Sequence, residues 1–194
     1  MEKVIANIFS ESIVAKQIFL QENADTLAEV IHVITHAFKS GRKLFLFGNG
    51  GSAADAQHIA AEFVNRYRIE RPPLPAIALT TDSSALTAIM NDYGAEEIFT
   101  KQLRALGKEG DVAIAISTSG NSINVLQALD VCRELHIRTV GLTGGVGGKM
   151  VGKVDYLLCV SSTAATARIQ ETHILVGHTI CEIVEQQLFA TESN

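Results

Sequence analysis

The sequence contains no C-x-x-C pair. Its three cysteines, Cys132, Cys159 and Cys181, are odd in number and far apart. Reduced, packed thiols in a cytosolic protein are the plain expectation. No apolar run reaches the ~18 residues that a membrane-spanning helix needs. Met1 to Ser10 carries Glu2 and lacks the basic-then-apolar pattern of a signal peptide, so a cytoplasmic protein without a membrane partner is expected. An excess of basic charge is missing too. Lys and Arg total 16 against 21 Asp and Glu, a net charge of −5, which argues against nucleic acid as the main partner. With 47% hydrophobic and 19% charged residues, disorder is excluded. A small anion remains open as a ligand, because a few backbone N–H groups can hold a phosphate on an acidic protein.

What is present is a chain of 194 residues, long enough for one domain with a full core. Two amphipathic helices are expected first, one with a stripe of Ile5, Ile8, Phe9 and Ile13. The second carries Leu27, Val30, Ile31, Ile34 and Phe38, with Asn23 or Asp25 as its cap and Gly41 as its end. Strands then alternate with helices. Strands are expected over 43–47, 74–79, 111–116, 138–142 and 155–160. Helices are expected over 53–67, 84–91, 96–106, 123–135 and 167–189. Apolar strands that alternate with helices imply a five-stranded parallel sheet covered on both faces. The expected organisation is therefore one α/β domain over residues 1–194, with a helical segment at 1–40 and a core at 41–194. The last helix is apolar nearly all round (Ile169, Ile174, Val176, Ile180, Val184), which one small domain has difficulty burying alone. That helix and the two leading ones are expected to build a subunit interface.

Two turns stand out, Gly48-Asn49-Gly50-Gly51-Ser52 and Ser117-Thr118-Ser119-Gly120-Asn121-Ser122, each between a strand and a helix. Parallel α/β sheets bind ligands outside the carboxyl ends of their strands. Helix N-termini there present free N–H groups and partial positive charge to a phosphate. One Gly-rich turn can be purely structural. The four hydroxyl residues of the second exceed what capping needs. A nucleotide site is a poorer fit, because Ala53 replaces the third glycine of G-x-G-x-x-G and no P-loop G-K-[ST] occurs.

His58 and Glu62 are four apart on one helix and so share a face, as two metal ligands, an acid–base pair or a plain surface pair. The last helix carries Gln170, Glu171, His173 and His178. His178 lies in an apolar stretch between Gly177 and Thr179, where a lone histidine is more often a satisfied core residue than a ligand. Gln170 and His178 are eight residues apart, roughly 12 Å along a helix. Spacing alone does not choose among these readings.

These segments, together with Asn91-Asp92-Tyr93-Gly94 and Arg168-Ile169-Gln170-Glu171, resemble the phosphoheptose isomerase family of the sugar isomerase (SIS) fold, flavodoxin-like or Rossmann-like, over essentially the whole chain. The resemblance implies interconversion of D-sedoheptulose 7-phosphate and D-glycero-D-manno-heptose 7-phosphate through an enediol, the first step of ADP-heptose biosynthesis for lipopolysaccharide. It implies a homotetramer with active sites at subunit interfaces. It also implies zinc, one ion per subunit, on His58, Glu62, Gln170 and His178. The sugar phosphate would meet Asn49, Gly50, Gly51, Glu62, Asn91, Asp92, Ser117, Thr118, Ser119, Ser122 and Gln170. Glu62 and His178 would be the acid–base pair. Much of the chain also resembles a non-catalytic SIS tetramer that binds the replication initiator DnaA. That relative's pattern loses the carboxylate and imidazole matching Glu62 and His178, and this chain keeps both.

Overall fold

The computed structural model describes residues 1–189. Its first element, α1, is a single helix over Glu2–Lys39. This corrects the expectation of two leading helices. No glycine or proline occurs before Gly41, so nothing in the sequence breaks the first helix from the second. Asn23, expected as a cap, lies mid-helix with its side chain on another element. Its amide donates to the Cys159 carbonyl and accepts from the Cys159 N–H, so it pairs with the backbone of an edge strand. Gly41, at φ 68, ends the helix as expected.

The core follows as β1 (Leu44–Gly48), α2 (Gly51–Val64), β2 (Ala76–Ala78), α3 (Ser83–Tyr93) and α4 (Thr100–Leu106). Then come β3 (Val112–Ile116), α5 (Ile123–Glu134), β4 (Arg138–Gly144), β5 (Tyr156–Val160) and α6 (Thr166–Phe189). The stretch expected as one helix over 96–106 is a 3₁₀ turn, Ala95–Glu97, followed by the shorter α4. All five strands are parallel, in the order β2-β1-β3-β4-β5.

Side chains alternate across a strand, and here both faces are apolar. Leu44, Leu46, Val112, Ile114, Val140 and Leu158 pack on one side against α1, α2 and α6. Phe45, Phe47, Ala113 and Ala115 pack on the other against α4 and α5. The three cysteines are free thiols, and burial pushes Cys132 up to about 12. The two halves of α1 differ. Its C-terminal half buries one face, Leu27, Val30, Ile31, Ile34 and Phe38, while Val4, Ile5, Phe9 and Ile13 near its start are exposed. Among the described residues, no helix is long and apolar enough to cross a membrane.

Candidate active site

The chain leaves β1 toward one sheet edge and β3 toward the other, so the β1–β3 border is the switch point where such sheets open a crevice. Gly48 is paired in register with Ile116, which brings the two singled-out turns level with each other. The Asn49 and Asn124 amides exchange hydrogen bonds of 2.9 Å in both directions and tie the turns together. Ser117 and Ser122 hydroxyls are 3.1 Å apart across the second turn. Ser122 sits at the N-cap of α5 but makes no side-chain cap bond, and the N-cap of α2, Gly50, has no side chain to make one. The second turn is braced from outside, where Met150 N–H donates to the Gly120 carbonyl and Lys149 N–H to the Asn121 amide. Gly120, at φ 64, touches Gly147 too closely for any side chain.

α2 and α6 bring the titratable residues together. His58 Nε2 lies 3.3 Å from Glu62 Oε1 and 3.0 Å from His178 Nε2. One ligand atom from each of the three lies within 4.8 Å of the others. Two nitrogens bound at 2.0–2.1 Å to one tetrahedral ion are about 3.3 Å apart, so this His₂Glu set fits a divalent cation such as zinc. His58 is half-exposed and Glu62 is 27% exposed, which leaves the cluster open to a ligand. Burial pushes the Asp55 carboxyl, one turn before His58, above its ordinary 3.8, against the pull of His58. The Tyr67 ring lies 5.7 Å from that of His178. Burial first, then the charge of Glu182, pushes its phenol upward.

Glycine explains how α6 comes this close. A Cβ at Gly177 would lie 2.7 Å from Ile59 Cγ1 and nearer still to Cδ1. Only a residue without a side chain lets α6 seat beside Ile59, and the next residue is then His178, facing His58. The same holds at the first turn, where a Cβ on Gly51 would lie 3.1 Å from the Gln170 Cδ. Gln170 therefore lies against the β1–α2 turn. Asn91 and Asp92 are exposed at the end of α3, where Asn91 donates to Asp92 at 2.8 Å. Among the described residues no hydrogen bond joins them to either turn. His173 is fully buried on α6 and separate in role from His178. Its Nε2–H donates to the Thr143 carbonyl at 3.0 Å, and burial lowers it to about 4, so it is a neutral core histidine.

Sequence reasoning missed Asn124, Asp55, Tyr67 and the part played by Gly177. Asp55 had a signal, being three residues before His58 on the same helix face. The others depend on contacts across elements that spacing along the chain does not carry.

A parallel sheet in this order, with hydroxyl- and glycine-rich turns at its switch point, defines a flavodoxin-like α/β protein built to hold an anionic ligand. Residues 9–144 match the family model for the SIS domain. The chain is similar to the phosphoheptose isomerase of Aquifex aeolicus, 52% identical over 97% of both chains. It is 54% identical to that of Roseiflexus sp. over 92% of this chain and 90% of the relative. The solved phosphoheptose isomerase of Neisseria gonorrhoeae superposes with a TM-score of 0.89 at 44% identity, covering 95% of this chain and 98% of that one. By these likenesses the chain belongs to the phosphoheptose isomerase family.

Proposed function

We propose that this protein is an aldose–ketose isomerase that converts D-sedoheptulose 7-phosphate to D-glycero-D-manno-heptose 7-phosphate in the cytoplasm, as the opening step toward ADP-heptose. The observation that carries the reading is the convergence of Glu62 and His178 from two helices, in a chain that also sets two anion-suited turns at its sheet's switch point and is about half identical to phosphoheptose isomerases. The substrate phosphate sits on Ser117, Thr118, Ser119 and Ser122, with the N–H groups at the start of α5. Asn49, Gly50, Gly51 and Gln170 line the sugar from the first turn. Asn91 and Asp92, exposed on α3, reach the sugar hydroxyls.

Isomerisation moves a proton between C1 and C2, so it needs a base at carbon and an acid at oxygen. Glu62 and His178 stand on different helices and take those two roles. His58 Nε2 lies within 3.3 Å of a Glu62 oxygen and 3.0 Å of His178 Nε2. Zinc, held by His58, Glu62 and His178, would polarise the substrate's carbonyl; Gln170, expected as a fourth ligand, lies instead against the β1–α2 turn, two turns of α6 away from His178. Strong ligation would reduce the freedom of Glu62 and His178 to exchange protons, and Gln170 then serves to orient the substrate.

The exposed apolar stripe of Val4, Ile5, Phe9 and Ile13 on α1 supports assembly into a homotetramer with sites at its interfaces. The alternative, a non-catalytic tetramer for the initiator DnaA, has no use for the acid–base set this chain retains. The deciding experiment is incubation of the purified protein with sedoheptulose 7-phosphate and detection of the aldose by NMR. Absence of product under conditions where the protein is folded would end the isomerase reading.

A further inference from the structure

Two buried residues that take no part in the proposed chemistry join the two helices that do. Arg71 lies past the end of α2 and turns its guanidinium back onto it. Nη2 donates to the Glu62 carbonyl at 2.9 Å and Nη1 to the Phe63 carbonyl at 2.7 Å. These are among the last carbonyls of the helix, which lack intrahelical partners and carry its negative end charge. Arg71 Nε donates to Glu185 Oε2 at 3.0 Å. Glu185 is on α6, seven residues and two turns beyond His178 on the same face. Its carboxylate also accepts the backbone N–H groups of Tyr67, Arg68 and Ile69 at 2.7–2.9 Å.

Both side chains are almost wholly buried, at 1% and 2% exposure. Burial alone would raise the Glu185 carboxyl, but the three N–H groups and Arg71 outweigh it and hold it below its ordinary 4.5. A buried ion pair adds little net stability over an apolar pair of the same shape. What this pair supplies is a fixed distance. It joins the end of α2 at Glu62, the 67–69 segment that sets Tyr67 beside His178, and α6.

We infer that Arg71 and Glu185 are positioning residues that set the approach of Glu62 to His178. The inference rests on the isomerase reading above.

Arg71→Met alone would leave a charged Glu185 unpartnered in the core and is expected to lose folded protein. The informative variant is Arg71→Met with Glu185→Gln. It removes both charges, while the Gln oxygen keeps an acceptor for the Arg68 and Ile69 N–H groups and only the bond from Tyr67 is lost. The expected result is a folded protein whose kcat falls at least tenfold with KM within threefold, because the 117–122 turn lies outside the clamp. Arg71→Lys keeps the ion pair but loses the fork onto two carbonyls, and should show a smaller drop of the same kind. Cobalt(II) titration, followed by visible absorption, reads the His58–Glu62–His178 geometry without turnover. It should give at least tenfold weaker binding in the double variant.

Wild-type kcat and cobalt affinity in the double variant would overturn the inference. So would a loss of activity that only tracks the loss of folded molecules. If the wild-type protein lacks isomerase activity, the functional reading falls, and the cobalt titration still decides whether the pair positions the cluster.

Discussion

Gly177→Ala tests how finely the cluster is set. The added methyl would start 2.7 Å from Ile59 Cγ1, where ordinary carbon contacts are about 3.5–4.0 Å. α6 must therefore retreat from α2 by about 1 Å, or Ile59, fully buried, must repack. Overpacking of this kind costs roughly 1–3 kcal/mol, and the better helix propensity of alanine returns about 1 kcal/mol. The net loss is about 2 kcal/mol at most, a Tm shift of under about 8 °C for a chain this long. The effect on rate is larger. A displacement of about 1 Å between catalytic groups costs on the order of 100-fold. The expected outcome is kcat down about 10- to 100-fold in a protein that still folds, by steady-state kinetics and thermal melts. Adding Ile59→Ala makes room for the methyl. It should restore much of kcat while lowering Tm further, since the large-to-small change costs about 2–5 kcal/mol. Wild-type kcat in Gly177→Ala at unchanged Tm would refute the claim that close seating of the two helices sets the site.

Removal of metal should slow turnover sharply, and metal analysis should find zinc in the purified protein; an unchanged rate in rigorously metal-free protein makes the ion incidental. Ser119→Ala with Ser122→Ala removes two hydroxyl donors to a charged group, each worth about 1.5–3 kcal/mol, so KM should rise at least tenfold; a wild-type KM would relocate the phosphate. His173 gives the fold an acid limb. Its folded value, about 4, lies below its ordinary 6.5, so its contribution, roughly 3 kcal/mol, is full above pH 6.5 and lost as pH falls toward 4. Tm should drop through that window, and His173→Gln, which can still donate to Thr143, should flatten the drop; an equal slope in both proteins assigns the acid limb elsewhere.

Much of the architecture was legible because it rests on local signals. Runs such as Val112–Ile116 are apolar at every position, as a parallel strand covered on both faces requires, and their alternation with helices points to a parallel sheet. The turns at 48–52 and 117–122 were found by composition, and the structure sets them side by side. The leading helix was misread because Asn23 and Asp25 look like caps. The side chain of Asn23 instead satisfies the edge strand β5 at Cys159, a contact 136 residues away. The pairing of His58 with His178 is implied by the family resemblance alone. Spacing within one helix reveals His58 and Glu62, but the approach of a second helix depends on Gly177 and the Arg71–Glu185 clamp. Neither leaves a mark in local sequence. Asn91 and Asp92 came from the resemblance alone.

The central claim is that Glu62 and His178 share one substrate's proton transfers. The most direct measurement compares the wild-type protein with Glu62→Gln on sedoheptulose 7-phosphate, with the aldose followed by NMR. General acid–base catalysis contributes about 10²- to 10⁴-fold. The account predicts product from the wild type and a rate lower by at least that range in a variant with the same fold and assembly. Turnover by Glu62→Gln at the wild-type rate would contradict it.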